Sequence, residues 1–164
     1  EDEIYFSNFS QIDHDPTGEV KISASGNFIA FNFDIKNKDQ ETHRVLVYNN
    51  ALNKVYEQEF SEKIKDKYFQ YNSFEVSDED GTIYFLGKAY KNESFKEKVN
   101  DEINYSYILY RINAESIDSK AFDTNDTYIS SLEILLNPKG LFCIGMYSEK
   151  DSDNFRGFAY TRRK

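Results

Sequence analysis

The chain has 164 residues, enough for one domain with a buried core. Its 29 acidic and 20 basic residues give a net charge of −9, which argues against a nucleic-acid partner because phosphate binding needs a basic patch. Hydrophobic residues make up only 39% of the chain, but 14 Phe and 13 Tyr favour strands and bury large areas, which argues against global disorder.

Apolar runs in the sequence are far shorter than a membrane-spanning segment requires, so we expect no membrane span. The single cysteine, Cys143, lies in the apolar run 141–144, which favours a small buried side chain over a nucleophile. Few Pro, Gly and Ala with abundant Lys, Asn, Ile and Tyr is a composition typical of bacteria with AT-rich genomes.

Three segments follow one plan, in which an apolar strand is followed by a polar turn with a glycine and then by a second apolar strand. The segments are 20–31, 74–85 and 132–143, with Gly26, Gly81 and Gly140 in their turns. Glycine suits such turns because it adopts a positive φ without strain. Self-similarity at this spacing indicates a repeat architecture.

More strand candidates follow the first two segments, at 44–48 and 54–60 and again at 105–112 and 116–122. Tyr48 precedes Phe60 by 12 residues and Tyr110 precedes Phe122 by 12, and Tyr160 matches the two tyrosines in the third segment. The tyrosines are therefore expected at one repeated packing position. Segments 58–67 and 95–99 contain helix formers, and we expect at most a short helical turn in each.

The whole chain, 1–164, is predicted to be a single module built from repeats. The repeats span 20–60, 74–122 and 131–164, and residues 1–19 are interpreted as a strand of a preceding or closing unit. The structural repeat positions are Gly26, Gly81, Gly140, Tyr48, Tyr110 and Tyr160.

Four-stranded units of about 50 residues fit the blades of a β-propeller. Residues 22–31, Ile-Ser-Ala-Ser-Gly-Asn-Phe-Ile-Ala-Phe, resemble the Ser-Pro-Asp-Gly-Lys-x-Ile-Ala-Phe motif of TolB-type and WD-repeat-like propellers, and residues 76–85 and 137–142 match it more loosely. The resemblance implies an all-β, propeller-like array of antiparallel blades, two complete and a third partial. It also implies an extracytoplasmic location, periplasmic or secreted. Propellers close with about four to eight blades, so further blades or partner chains are needed to close the ring.

Blades of this kind present loops from a rigid scaffold, so we expect a non-enzymatic binding or scaffolding module for a protein or glycan partner. The connections 36–42, 91–104 and 148–154 join the second and third strands of successive units and should share one face. That face is the predicted binding surface. The alternatives are the propeller domain of a larger hydrolase or peptidase and a calcium- or glycan-binding propeller.

Acidic turns supply the metal-ligand candidates. Asp78 and Asp80, and likewise Asp151 and Asp153, place two carboxylates two residues apart in a loop, which resembles the start of an oxygen-ligand calcium site. Asp and Gly also satisfy the backbone demands of a hairpin turn, and we favour that interpretation. We therefore expect no metal and no other cofactor, with calcium as the alternative.

The sequence contains no Gly-x-Ser-x-Gly turn, phosphate-binding loop or dinucleotide fingerprint, so no catalytic residue is predicted. The two histidines, His14 and His43, are too few for a three-histidine zinc site. His43 stands beside Arg44 at a strand entry, and we expect it at the surface or at a sheet edge.

Overall fold

The structure is a computed structural model that describes residues 17–35, 39–91, 94–122, 127–148 and 156–163. Residues 1–16 of the predicted N-terminal strand, both Asp151 and Asp153, and the side chain of Tyr160 lie outside the described part. The strands are β1 (Thr17–Ile22), β2 (Phe28–Asp34), β3 (Glu41–Asn49), β4 (Lys54–Glu62), β5 (Phe69–Val76), β6 (Ile83–Tyr90), β7 (Lys98–Val99), β8 (Glu102–Ile103), β9 (Tyr105–Ile112), β10 (Ile117–Ala121), β11 (Tyr128–Asn137), β12 (Gly140–Ser148) and β13 (Gly157–Arg163).

These strands form antiparallel sheets, which confirms the all-β prediction. Sheet 1 has the order β1-β2-β3-β4, sheet 2 the order β5-β6-β9-β10 and sheet 3 the order β11-β12-β13. A small hairpin, β7-β8, lies within the β6–β9 connection. In each of the three larger sheets neighbouring strands follow one another in the chain, apart from that hairpin, so each is a meander that short connections can build.

The strand predictions agree with the structure in some segments and not in others. The candidate 105–112 coincides with β9 (Tyr105–Ile112), but β5 begins at Phe69, five residues before the predicted repeat start at position 74. The segment 58–67 continues β4 to Glu62 and then forms a 3₁₀ turn, Asp66–Tyr68. The segment 95–99 has no helix and ends in β7. Both segments had helix-forming composition, and sheet pairing overrides it.

Two hydrophobic cores join the three sheets. Side chains of sheets 1 and 2 form the first core, which includes Ala30, Val45, Val47, Tyr56, Phe60, Phe74, Val76, Ile83, Phe85, Tyr110 and Ile112. Side chains of sheets 2 and 3 form the second, which includes Leu86, Tyr105, Tyr107, Leu109, Ile129, Leu132, Ile134, Leu141 and Cys143. Sheet 2 therefore lies between the other two and is buried on both faces, which makes β6 apolar at nearly every position.

The ladders do not give the three tyrosines the shared position that their spacing predicts. Tyr48 pairs with Ile29, Tyr110 with Phe85 and Tyr160 with Ile144. In sheet 1, Ile29 belongs to the first residue pair after the turn. In sheet 2, that first pair contains Ile83, and Phe85 lies two residues further along β6. In sheet 3, the first pair contains Gly140, and Ile144 lies four residues further along β12. A bulge beside Tyr48 also changes the spacing from β3 to β4, so equal sequence intervals do not mean equal register.

No helix among the described residues has the length and apolar character needed to cross a membrane.

Gly145 provides a test of how tightly sheet 3 is built. It lies on β12 beside the β11 bulge, and a Cβ there would collide with the backbone carbonyl oxygen of Ser131. We expect Gly145→Ala to lower the free energy of unfolding by about 1–3 kcal/mol, because backbone cannot move aside as a side chain can. Urea denaturation measures it.

Gly18→Ala is the matched control for that substitution. Its new Cβ would meet the Phe33 ring at 3.2 Å, which can shift, and the Asn32 carbonyl oxygen only at 3.7 Å, an ordinary contact distance. Equal effects of the two substitutions on the urea midpoint would contradict the role of the Ser131 carbonyl.

Candidate functional site: a cleft at the turn end of the sheets

The turns that join the first two strands of each sheet surround a cleft of about 930 Å³, which we call the turn-end cleft. All three sheets contribute to its walls. The lining residues are Ile22, Ala24, Ser25, Glu75, Val76, Ser77, Asp78, Glu79, Tyr84, Arg111, Asp118, Leu136, Asn137, Pro138, Lys139, Gly140 and Leu141.

Glycines allow the three turns around the cleft. Gly26 and Gly81 have φ values of 75° and 72°, and Gly140 has a φ of 129°. Residues with a Cβ rarely adopt such angles, so a glycine is the residue expected at each turn. The glycine-containing turns that the sequence predicts are therefore the elements that frame the cleft.

Asp78 ties the first turn to the second. Its carboxylate accepts hydrogen bonds from the Ser25 backbone N–H, at 2.9 and 3.0 Å, and from the Ser25 hydroxyl, at 3.1 Å. The Asn27 side-chain amide also donates to the Asp78 carbonyl oxygen, at 3.4 Å. Bonds from the Ser23 hydroxyl and then the Ser25 N–H hold the pKa of Asp78 below its ordinary value, because they stabilise the charged carboxylate.

Asp80, the second calcium candidate, caps its own turn. The Thr82 N–H donates to its Oδ1 at 2.9 Å. Partial burial raises the pKa of Asp80, but hydrogen bonds from Thr82 and Ser77 outweigh this effect and lower it overall. The carboxylate of Asp80 is thus engaged within its own turn, and that of Asp78 is engaged by the first turn.

Charge in the turn-end cleft is mixed, with an excess of acid. Its ionisable lining residues are the carboxylates Glu75, Asp78, Glu79 and Asp118 and the basic residues Arg111 and Lys139. Arg111 lies 3.8 Å from Asp118 across the β9–β10 ladder, and Glu75 lies 3.6 Å from Lys21 of β1. Glu79 is exposed and forms no ion pair within the described part of the chain. The lining of the cleft therefore carries more acidic than basic side chains.

Sequence reasoning missed Arg111 and Asp118 as lining residues. They belong to the third and fourth strands of sheet 2, and only the pairing of β9 with β6 and β10 brings them beside the turns. A sequence signal for this placement exists only once the strand order is known.

His43 is fully buried, not at the surface or at a sheet edge as predicted. Its Nε2 lies 2.7 Å from Glu41 Oε1 and its Nδ1 lies 3.1 Å from Asn32 Oδ1. The ring centroid stands 5.4 Å from that of Phe60 and 4.7 Å from that of Phe85. Position 43 alternates with the buried Val45 and Val47, so period-two alternation was the signal that would have placed it inside.

Carboxylates gather next to this histidine, away from the turn-end cleft. Oxygens of Asp34, Glu41 and Asp66 lie within 4.8 Å of one another, the one such group of three metal-ligating side chains among the described residues. Burial raises the pKa of Glu41, and its hydrogen bond to His43 opposes that shift. Such oxygens could hold a hard cation, but neither Asp78 nor Asp80 belongs to the group.

Residues 94–104 of the connection 91–104, which is part of the predicted binding face, fold back onto sheet 2. Lys88 is buried, with its Nζ 2.8 Å from both carboxylate oxygens of Glu97 and 3.9 Å from the Tyr105 ring centroid. The Asn104 amide donates to the carbonyl oxygens of Ser94 and Lys96. These contacts pair the charge of Lys88 and anchor the connection. The connection lies at the end of β6 opposite to the turn-end cleft.

Comparison of the chain with protein-family models, with curated proteins and with solved structures finds no match.

Replacing Asp78 tests the link between the first two turns. We expect Asp78→Ala to lower the urea midpoint at neutral pH, because Ser25 loses its acceptor. The folded pKa of Asp78 lies below the ordinary value of 3.8, so its stabilisation is present above that value and is lost as the pH falls through the folded pKa. The difference from the unmodified chain should therefore shrink on acidification.

Glu79→Ala is the control for Asp78→Ala, since Glu79 is the neighbouring exposed carboxylate. A midpoint difference between Asp78→Ala and the unmodified chain that stays constant down to strongly acidic pH would contradict the proposed hydrogen bonds.

Removing His43 tests the buried pair. His43→Leu leaves the Glu41 carboxyl buried without its partner, and we expect the free energy of unfolding to fall by about 2–4 kcal/mol. The double variant His43→Leu with Glu41→Leu should lose less than the single variant, because the Glu41 carboxyl is then no longer buried without a partner, while the loss of the His43–Asn32 hydrogen bond is common to both variants. Urea denaturation distinguishes the cases, and an equal or larger loss in the double variant would contradict this account.

Proposed function

We propose that the three sheets are blades of a β-propeller. Each is a meander whose strands follow chain order, and the first strands adjoin one another, since β5 contacts both β1 and β11. Lys21 of β1 pairs with Glu75 of β5 at 3.6 Å, and the Tyr71 hydroxyl donates to Glu19. First strands that converge in this way support a common axis, as in a propeller.

We further propose that the protein is a non-enzymatic binding module that holds a basic segment of a protein partner in the turn-end cleft. The observation that carries this proposal is the convergence of three turns from three sheets around one cleft with excess carboxylates. Apolar residues such as Val76 and Leu136 also line the cleft. A segment with alternating cationic and apolar side chains would use both kinds of wall.

The state of the nucleophilic and basic side chains supports a binding role over catalysis. Cys143 is buried, as predicted, and burial raises the pKa of its thiol to about 11, so it is a thiol and not a thiolate at neutral pH. His43 is enclosed between Glu41 and Asn32 in the core and has no exposed surface from which to reach a substrate.

A synthetic peptide of alternating Lys and Leu, compared with one of alternating Glu and Leu, tests the proposed preference. We expect the chain to bind the Lys peptide and not the Glu peptide in isothermal titration calorimetry. The double variant Glu79→Gln with Asp118→Asn should weaken binding about 2- to 30-fold, because each of the two exposed ion pairs contributes roughly 0.2–1 kcal/mol.

The control variant is Glu57→Gln with Glu59→Gln, which removes the same charge from β4, outside the cleft. This control should bind the Lys peptide as the unmodified chain does. Equal weakening by both double variants would show that net charge alone attracts the peptide, and no binding of the Lys peptide would also overturn the proposal.

A further inference from the structure

Sheet 1 has an apolar face that nothing in the described chain covers. On this outer face of sheet 1, which points away from sheet 2, Val20 and Ile22 are 53% and 63% exposed. Their ladder partners Phe31 and Ile29 share the face, because directly paired residues of antiparallel strands point to the same side. Leu46, opposite Phe31, extends it onto β3.

The turns of sheets 1 and 2 allow their residues to be compared position by position. The Ser23 N–H donates to the Phe28 carbonyl oxygen at 2.9 Å, and the Ser77 N–H donates to the Thr82 carbonyl oxygen at the same distance. The two turns have equal length and the same closing hydrogen bond. The strands on either side of one turn therefore correspond to those on either side of the other.

Counted from these turns, the outer face of sheet 1 corresponds to the face of sheet 2 that packs on sheet 1. Val20, Ile22, Ile29, Phe31, Leu46 and Tyr48 correspond to Phe74, Val76, Ile83, Phe85, Tyr110 and Ile112. All six residues of sheet 2 belong to the core shared with sheet 1. The outer face of sheet 1 is thus equivalent in its strand positions, and largely in its apolar side chains, to a face that packs against a preceding sheet.

Sheet 3 is open on its opposite side. Leu135, Ile144 and Met146 are 50%, 40% and 43% exposed on this outer face of sheet 3. Their neighbours Ile134 and Cys143 point the other way, into the core shared with sheet 2. Sheet 1 packs on sheet 2 by one of its sides, and sheet 2 packs on sheet 3 by the equivalent side. The outer face of sheet 3 is this same side of the third sheet.

We propose that the outer face of sheet 3 packs on the outer face of sheet 1 of a second copy of this chain. The same two kinds of face already pack together between sheets 1 and 2 and between sheets 2 and 3. The proposed contact therefore repeats an interface that the chain forms twice within itself. Two such contacts close a ring of six sheets, within the range of about four to eight for propellers. The ring rests on the propeller arrangement proposed above, whereas the contact rests on the two faces alone.

Sedimentation velocity across a wide range of chain concentrations tests the contact. We expect a species of twice the 19.3 kDa chain mass. Val20→Lys and Ile144→Lys each alter one outer face, and each should convert the dimer into monomer. Both side chains are exposed and lie outside the turn-end cleft, so the urea midpoint and Lys-peptide binding should persist.

A mixture of the two variants identifies the head-to-tail arrangement. In a mixed pair, one contact joins both altered faces and the other joins two unaltered faces, so mixing should restore dimer. Leu52→Lys, at an exposed position on the β3–β4 turn, is the control and should remain dimeric.

Three results would overturn the proposal. The first is an unmodified chain that is monomeric at every concentration, as expected if another protein or a further segment covers the faces. The second is a dimer broken by only one variant, which indicates a like-with-like contact. The third is a mixture that stays monomeric. Lys-peptide binding by a monomeric chain would leave the proposed function standing.

Discussion

Burial of sheet 2 on both faces is the constraint on which the rest of the structure depends. Phe85 points into the core between sheets 1 and 2, and its neighbour Leu86 points into the core between sheets 2 and 3. Both faces of β6 are therefore buried, and the strand cannot alternate polar with apolar residues as a half-exposed strand does. Two buried basic side chains are paired with carboxylates: His43 with Glu41, and Lys88 with Glu97. The stack is held by shape and apolar area, and its few buried charges are matched locally.

Stacking of the sheets also determines where the cleft forms. Since each sheet begins with a hairpin, and the first strands adjoin, the three turns are brought to one end of the stack. Asp78 then fixes the first turn against the second through Ser25. The turn-end cleft is therefore a product of sheet packing, and its mixed polar and apolar lining follows from the turn residues and from the strand ends behind them.

The sequence was sufficient for the strands and turns because these depend on local patterns. A run rich in aromatic and branched apolar residues located β9, and glycines marked the three turns. The pairing register of the strands could not be predicted from the sequence, since the bulge beside Tyr48 changes the spacing without leaving a clear residue signature. The prediction for His43 was wrong because it rested on the strand entry beside Arg44, whereas the alternation with Val45 and Val47 turns the side chain inward. Arg111 and Asp118 entered the cleft only through pairing between strands, which one sequence without a known topology does not specify.

The walls of the turn-end cleft come from three sheets that are far apart in the chain, and this has a thermodynamic consequence. Loss of any one sheet destroys the cleft, so an occupant bound there selects the folded stack as a whole over partly unfolded forms. At 100 times its dissociation constant, such an occupant adds about 2.7 kcal/mol to the free energy of unfolding. The melting temperature of the intact stack is therefore itself a detector for the natural partner, whatever the identity of that partner.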